Sequence, residues 1–189
     1  MSARAARWQL APLAAARPQP WRNGGGVTRE LLAWPAAEGW QVRISLADVA
    51  ADGPFSFFPR VERWFAVLEG EGVKLRLLGR EHRVERRSEP FHFDGEAEVR
   101  CKLVDGPTRD LNLMALRGRG SMQRVTGAPR LHCAAPRLVA LYAHADPAVV
   151  VFGDDRADVP PATLAWRVLD TSGPVQVDAR DAMWMEVRL

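Results

Sequence analysis

Short segments of alternating apolar and polar residues constrain this chain more than any other sequence feature. Residues 40–47, WQVRISLA, put four apolar side chains on one strand face and three polar ones on the other: Trp40, Val42, Ile44 and Leu46 against Gln41, Arg43 and Ser45. Similar strand-like segments recur at 64–79, 98–106, 110–116, 137–144, 148–152, 163–170, 175–178 and 183–189. The pattern predicts an all-β protein of many short strands.

Two segments depart from this pattern. Residues 117–129, RGRGSMQRVTGAP, show no sustained apolar period and are predicted to be a connector. It divides one compact protein, residues 1–189, into approximate halves 1–117 and 118–189. Residues 134–145 are the only stretch where a helix is an alternative to a strand.

Composition excludes several classes of protein. The 26 basic and 23 acidic residues are interleaved, so no clustered patch predicts nucleic-acid binding. No apolar run approaches the roughly 20 residues of a membrane span. Residues 4–16 mimic a weak secretory signal, but Gln9 and Pro12 interrupt a short apolar centre, which favours a cytoplasmic protein. Cys101 and Cys133 lack metal-binding spacing and are predicted to be buried thiols.

Several long motifs carry a family resemblance. PWRNGGGVTRE, VRISLADVAADGPFSFFPRVER, LEGEG, FDGE and DGPTRDLNLMALRG occur in this order. In order and spacing they resemble the HutD/Ves family of bacterial proteins. The resemblance implies two fused cupin-like barrels of the RmlC-like jelly-roll type, and an association with histidine utilisation and its regulation. One departure is Arg60, where the family tends to have glycine in a turn; a positive φ there would strain arginine.

The histidines do not form a metal-binding pattern. Metal-binding cupins use converging histidines and a glutamate, whereas the four histidines here are isolated: His82, His92, His132 and His144. We therefore expect no metal and no cofactor. The same dispersal argues against a Ser/His/Asp triad.

The triple glycine Gly24–Gly26 needs a local reason, because glycine loses more backbone freedom on folding than other residues. It lacks the lysine and the following helix of a phosphate-binding loop. Two readings stay open at this stage. The glycines form either a packed bend at a barrel corner or a strand entry whose backbone lines a ligand site.

A polar pocket in the first barrel is the functional prediction. On the strand at 40–47, Arg43 and Ser45 face either solvent or the barrel interior, and the resemblance makes the interior an equal alternative. The predicted ligand-binding residues are Trp21, Asn23, Gly24, Gly25, Gly26, Thr28, Glu30, Arg43, Ser45, Asp110, Asn112 and Met114. Arg43 would grip a carboxylate with its planar fork, and Asn23 with Asp110 would recognise amide or imine atoms.

The leading hypothesis is a protein that binds or senses a small polar acid. The resemblance implies an intermediate of histidine breakdown, of the formyl- or formimino-glutamate or urocanate class, and a role in modulating histidine utilisation. The alternative is a metal-free cupin enzyme, an isomerase or hydrolase, with Glu30 or Asp110 as general base. A structural protein without a ligand is a third option. A homodimer is a mild preference.

Overall fold

The computed structural model describes residues 7–189, and every regular element in this range is a strand except for one short 3₁₀ turn at Leu13–Ala15. The strands are β1 (Gln9–Pro12), β2 (Pro18–Pro20), β3 (Gly26–Trp34), β4 (Val42–Val49), β5 (Gly53–Pro54), β6 (Val61–Glu69), β7 (Val73–Leu77), β8 (Arg80–Val84), β9 (Phe91–Asp94), β10 (Arg100–Leu103), β11 (Thr108–Leu116), β12 (Gly120–Gly127), β13 (Arg130–Cys133), β14 (Arg137–Ala143), β15 (Ala148–Phe152), β16 (Asp155–Val159), β17 (Thr163–Leu169) and β18 (Gly173–Arg188). The all-β prediction is confirmed.

The described chain divides into two compact units. The central unit is Arg17–Gly118, and the terminal unit combines residues 7–16 with Arg119–Leu189. The division after Gly118 lies one residue from the predicted boundary. The assignment of the amino-terminal segment to the first half is wrong, because β1 pairs antiparallel with β17 in the terminal unit.

The central unit contains two antiparallel sheets. The larger has the strand order β2-β3-β4-β11-β6-β9, and the smaller has the order β5-β10-β7-β8. The strand-like segment predicted at 64–79 corresponds to two strands, β6 and β7, separated by residues 70–72. Apolar side chains from both sheets share one core cluster, in which Phe65 and Val67 of β6 pack with Val73 and Leu75 of β7. These contacts stabilise the packing of the two sheets, because they bury apolar surface between them.

The terminal unit is built around the long strand β18. Its sheet has the order β1-β17-β14-β18-β15-β16, and β12 and β13 also pair with β18. The two segments predicted at 175–178 and 183–189 are parts of this single strand. Trp8 and Trp184 are buried in its core. The part of the signal-like segment that precedes residue 7 lies outside the described residues.

The structure corrects two predictions about local structure. The connector predicted at 117–129 is wrong, because β12 occupies Gly120–Gly127 and pairs with β18. A register shift between Val125 and Gly127 interrupts its period-two pattern, which hid the strand. The helical alternative at 134–145 is also wrong. Strand β14 lies between β17 and β18 and is buried almost throughout, so its sequence shows no alternation.

Two further observations concern residue classes. Cys101 and Cys133 are free and buried, as predicted. Between residues 7 and 189, no helix has the length and apolar character needed to cross a bilayer.

Arg60 adopts a positive φ at the turn where the resembled family tends to have glycine. Its φ is 65°, in the left-handed region that L-residues with a Cβ rarely occupy. Two hydrogen bonds of the Arg60 backbone hold the turn. The Arg60 amide donates to the side-chain Oε1 of Glu96 at 2.8 Å, and the Arg60 carbonyl accepts from the Arg117 amide at 3.1 Å. A glycine would keep both bonds without the steric cost.

We therefore expect Arg60→Gly to stabilise the protein. Left-handed backbone costs a non-glycine residue about 1–2 kcal/mol, part of which the greater freedom of glycine in the unfolded chain offsets. The net gain should raise Tm by about 2–4 °C in calorimetry. Arg60→Ala is the matched control, because it removes the same side chain but retains the Cβ. Equal Tm values for the two variants would contradict the explanation.

Candidate functional site

Three adjacent strands of the central unit present polar side chains on one common face. Met114 of β11 lies opposite Arg43 of β4 on one side and opposite Arg63 of β6 on the other. Asn112 lies likewise between Ser45 and Phe65. Directly opposed residues of neighbouring strands project to the same side of a sheet. This face therefore places one arginine on each side of Met114.

This face forms one wall of a cavity of about 610 Å³. That volume lies within the usual range for small-molecule sites. The loop before β3 and the loop between β5 and β6 contribute the remaining walls. The lining residues are Gln19, Pro20, Trp21, Arg22, Asn23, Thr28, Arg43, Ser45, Ala47, Val49, Pro54, Phe55, Ser56, Phe58, Arg63, Phe65, Asn112 and Met114.

The orientation of β4 matches the two-face prediction. Arg43 and Ser45 line the cavity, whereas Ile44 and Leu46 are buried on the opposite face. Arg43 therefore faces the cavity, and not the solvated outer surface that was its other predicted orientation. Strand β4 begins at Val42, so Trp40 lies before it and packs its ring near Phe58, with ring centroids 6.3 Å apart.

Arg63 is the most unusual group in the cavity. Its side chain is buried at 6% exposure, and its guanidinium carbon lies 4.9 Å from the ring centre of Phe55 and 5.0 Å from that of Phe93. Burial, together with the nearby charge of Arg43, lowers the pKa of Arg63 to about 10, so it stays protonated at neutral pH. Throughout residues 7–189 no carboxylate pairs with it.

The hydrogen bonds of Arg63 leave several N–H donors of its guanidinium without an acceptor in the described chain. Nη2 donates to Asn112 Oδ1 at 2.9 Å, and Nη1 makes a long contact of 3.5 Å with the Ser56 carbonyl. Nε is buried and has no partner among the described residues. The aromatic rings attract the cation, but they do not neutralise it. A buried unpaired charge costs several kcal/mol, so this site favours an anion.

The terminal unit offers an internal comparison. Arg167 also lies over aromatic rings, 5.7 Å from the ring centre of Trp8 and 4.9 Å from that of Phe152. There Asp155 accepts from Arg167 Nη1 at 2.7 Å and neutralises the charge. Residues 7–189 thus supply a counter-ion for one aromatic-flanked arginine and none for the other.

Arg43 differs from Arg63 because it already has a carboxylate partner. Its Nε donates to Glu30 Oε2 at 2.7 Å. Neither Nη group of Arg43 makes a hydrogen bond to a described residue. Glu30 therefore orients the guanidinium and leaves its outer edge available.

The acceptor oxygens of the polar side chains in the cavity are largely occupied by the protein itself. Asn112 Oδ1 accepts from Arg63, Asn23 Oδ1 accepts from the Gly25 amide at 3.0 Å, and Thr28 Oγ1 accepts from the Trp21 indole at 2.7 Å. The amide NH₂ groups of both asparagines and the Thr28 hydroxyl hydrogen remain as donors. The cavity is thus rich in donors and suits a ligand rich in acceptors.

The backbone requires glycine at two of the three positions in Gly24–Gly26, and Gly25 lies between them. Gly24 has a φ of +70°, and Gly25 accepts from the amides of Ala50 and Ala51. At Gly26 a Cβ would lie 2.5 Å from the Asp48 carbonyl oxygen and 3.1 Å from the Trp21 ring. These contacts agree with the interpretation of the glycines as a packed bend. None of the three glycines lines the cavity.

Asp110 shares the strand face of Asn112 and Met114 but does not line the cavity. It is fully buried, and Thr108 Oγ1 donates to its Oδ2 at 2.9 Å, while Oδ1 has no partner in the described chain. Burial raises the pKa of Asp110 to about 8, against the opposing effect of the Thr108 hydrogen bond. Asp110 is therefore mostly protonated at neutral pH.

The donor set does not fit a metal. No group of three or more histidine, cysteine, aspartate or glutamate side chains converges anywhere in the described part of the chain. His92 instead stacks on Trp64 and bonds to Glu62 at 2.9 Å, and His82 lies beside Phe91. The cavity wall supplies guanidinium, amide and hydroxyl groups, which bind anions.

Seven of the twelve predicted site residues line the cavity: Trp21, Asn23, Thr28, Arg43, Ser45, Asn112 and Met114. The others, Gly24, Gly25, Gly26, Glu30 and Asp110, lie outside the lining. The sequence prediction does not include Arg22, Arg63 or the aromatic loop at 55–58. One sequence pattern could have indicated that Arg63 is buried. Its charged side chain lies on the same strand face as the apolar residues Val61, Phe65 and Val67.

Comparison with known proteins agrees with this fold. The family model described as HutD matches residues 13–186. The chain belongs to the HutD family. The structure of HutD from Pseudomonas fluorescens SBW25 is 26% identical, with a TM-score of 0.84 over 95% of this chain and 98% of that one. A conserved protein of unknown function from Pseudomonas aeruginosa PAO1 is 28% identical, also with a TM-score of 0.84, over 96% and 98%.

Curated relatives of this HutD family member match over shorter segments. A 21.2 kDa protein from the hutC 3′ region of Pseudomonas putida is 38% identical over 120 residues, 61% of this chain and 63% of its own length. Protein Ves of Cronobacter sakazakii is 40% identical over 100 residues, 52% and 55%. The chain thus spans less than two thirds of these relatives. A cupin 2 barrel domain protein from Leptotrichia buccalis, 11% identical with a TM-score of 0.54 over 91% and 96%, shares the fold.

The glycine contacts predict a difference between two alanine variants. Gly26→Ala places a Cβ against backbone that cannot move freely, so we expect a loss of about 1–3 kcal/mol in unfolding free energy. Gly25→Ala should cost much less, because its Cβ would meet only the Asn23 side chain at 3.4 Å. Urea unfolding measures both. Equal losses would contradict the assignment of the close approach to Gly26.

The buried carboxyl predicts a pH-dependent stability difference. The ordinary pKa of Asp110 is 3.8 and its native pKa is about 8. Between these values the native state binds more protons than the unfolded state, so stability falls as pH rises. Relative to Asp110→Asn, wild type should lose up to about 1.4 kcal/mol per pH unit across this window.

Asparagine is a suitable reference because its oxygen can still accept from Thr108. Urea unfolding of both proteins from about pH 5 to about pH 8 provides the comparison. A stability difference that does not change with pH would contradict the raised pKa.

Proposed function

We propose that this HutD family protein binds a small acidic ligand in the cavity of its central unit. The observation that carries the proposal is the buried guanidinium of Arg63, which faces a cavity and lacks a carboxylate partner in residues 7–189. A ligand carboxylate would supply the missing counter-charge and accept charge-assisted hydrogen bonds.

The remaining donors support the same ligand chemistry. Arg43 offers two Nη groups, and Ser45 and Asn112 offer a hydroxyl and an amide NH₂ on the same wall. We assign the main carboxylate contact to Arg63 rather than Arg43, because Glu30 already balances the charge of Arg43. HutD from P. fluorescens SBW25 was solved in a formate condition, and formate is the smallest carboxylate.

The family suggests which acids to test. A relative is named after the hutC 3′ region, and the family model is HutD. We propose an intermediate of histidine breakdown as ligand, of the formyl- or formimino-glutamate or urocanate class. Binding would modulate histidine utilisation.

We also propose that the two units are two fused jelly-roll barrels. The central unit has two antiparallel sheets and the terminal unit has one, each unit has its own buried cluster, and cupin proteins share the fold. Under this interpretation the central barrel holds the ligand. The terminal barrel, with Arg167 neutralised by Asp155, does not need an anion.

An enzyme with a carboxylate base is less well supported by the geometry. Asp110 has a pKa close to the working range of a general base, but it does not line the cavity. Glu30 is held by Arg43. Neither carboxylate is placed to take a proton from a ligand in the cavity.

Replacement of Arg63 tests the proposal. A charge-assisted hydrogen bond contributes roughly 1.5–3 kcal/mol, so Arg63→Met should weaken binding of N-formylglutamate or urocanate by at least about tenfold in titration calorimetry. Its Tm should stay unchanged or rise, because the variant removes an uncompensated buried charge.

Arg167→Met is the matched control in the terminal unit. It leaves Asp155 without its arginine, so it should lower Tm and leave ligand affinity unchanged. Wild-type affinity in Arg63→Met would contradict the proposed function, and so would a failure of wild type to bind any of these acids.

A further inference from the structure

A third arginine lines the cavity but has a different environment from the other two. Arg22 is exposed and lies in the turn that precedes β3. It makes no hydrogen bond, ion pair or ring contact with the part of the chain that the structure describes. Its charge is thus available at the edge of the cavity.

The backbone around Arg22 is held firmly. The Gly24 amide donates to the Trp21 carbonyl at 3.0 Å, which closes a turn around Arg22, and the Trp21 amide donates to the Gly26 carbonyl at 2.9 Å. The Trp21 indole is bonded to Thr28 of β3. The turn is therefore tied to the sheet on both sides of Arg22. The backbone of Arg22 is therefore fixed at the cavity, whereas its side chain has no partner among the described residues.

The charges of the cavity do not balance. The buried wall carries two arginines and one neighbouring carboxylate, since Glu30 pairs with Arg43 and no carboxylate of residues 7–189 pairs with Arg63. Arg22 adds a second uncompensated positive charge at the edge. The lining residues include no aspartate or glutamate. A single carboxylate would compensate Arg63 and leave Arg22 without a counter-charge, whereas a dianion could meet both.

We infer that Arg22 is a specificity-determining residue that selects ligands with a second anionic group at the end away from Arg63. This inference rests on the proposed function, because it assumes that a carboxylate binds at Arg63. The first carboxylate enters the buried site beside Arg63 and Asn112. The second stays near solvent, where Arg22 contacts it. The cavity volume of about 610 Å³ leaves room for a short chain between the two groups.

Two isosteric probes test the selection. N-formylglutamate carries two carboxylates, and N-formylglutamine replaces the side-chain carboxylate with an uncharged amide of the same size. We expect wild type to prefer N-formylglutamate by about two- to fivefold, the size of one solvent-exposed ion pair. Arg22→Gln should abolish this preference and leave the affinity for N-formylglutamine unchanged. Added salt should reduce the wild-type preference, because exposed pairs are screened.

Arg87→Gln is the matched control. Arg87 is also exposed, lies in a turn of the same unit and does not line the cavity. It should retain the full wild-type preference, which separates a local contact from a general change in protein charge. Equal weakening of the preference by both variants would overturn the inference.

The outcomes distinguish this inference from the proposed function. If wild type binds both probes with equal affinity, or if Arg22→Gln keeps the preference, the selection by Arg22 is wrong and the proposed function stands. If Arg63→Met and wild type bind neither probe nor urocanate, both are wrong. A preference that disappears only in Arg22→Gln supports both.

Discussion

The buried positive charge of Arg63 is the constraint on which the functional site depends. Its pKa stays near 10 despite burial, so deprotonation at neutral pH does not relieve the cost. The rings of Phe55, Phe58 and Phe93 surround the guanidinium at 4.9–5.7 Å, and Asn112 accepts one hydrogen bond. These contacts reduce the cost of burial without cancelling the charge. The loop at 55–58 is therefore part of the site, because it contributes two of the three rings.

The support for this charge comes from distant parts of the sequence. Arg63, Met114 and Arg43 are adjacent in space only because β11 pairs with β6 on one side and with β4 on the other. The close approach of Gly26 to Asp48 joins β3 to the same sheet and positions Trp21 at the wall. The glycines thus act indirectly. They allow the turn and the strand contact that hold the cavity residues in place.

Sequence patterns predicted part of this arrangement. Alternation in residues 40–47 predicts the two faces of β4, so the common orientation of Arg43 and Ser45 could be predicted from the sequence. The burial of Arg63 could not, because it depends on aromatic residues of a loop and of β9 that a local pattern cannot bring together. Strand β12 was hidden by its register shift, and β14 by burial on both faces. The pairing of β1 with β17 joins residues more than 150 positions apart, which no periodicity reveals.

The chemistry of the lining argues for binding rather than proton transfer. Its ionisable side chains are three arginines, and a guanidinium group donates hydrogen bonds but offers no lone pair to accept a proton. General acid–base catalysis needs a group that changes protonation near the working pH and lies within hydrogen-bond reach of the reacting atom. The group with the suitable pKa, Asp110, is buried and does not line the cavity, and Thr108 is the only hydrogen-bond partner of its side chain in the described chain. The described lining residues therefore support the proposed binding of an anion better than a general acid–base role.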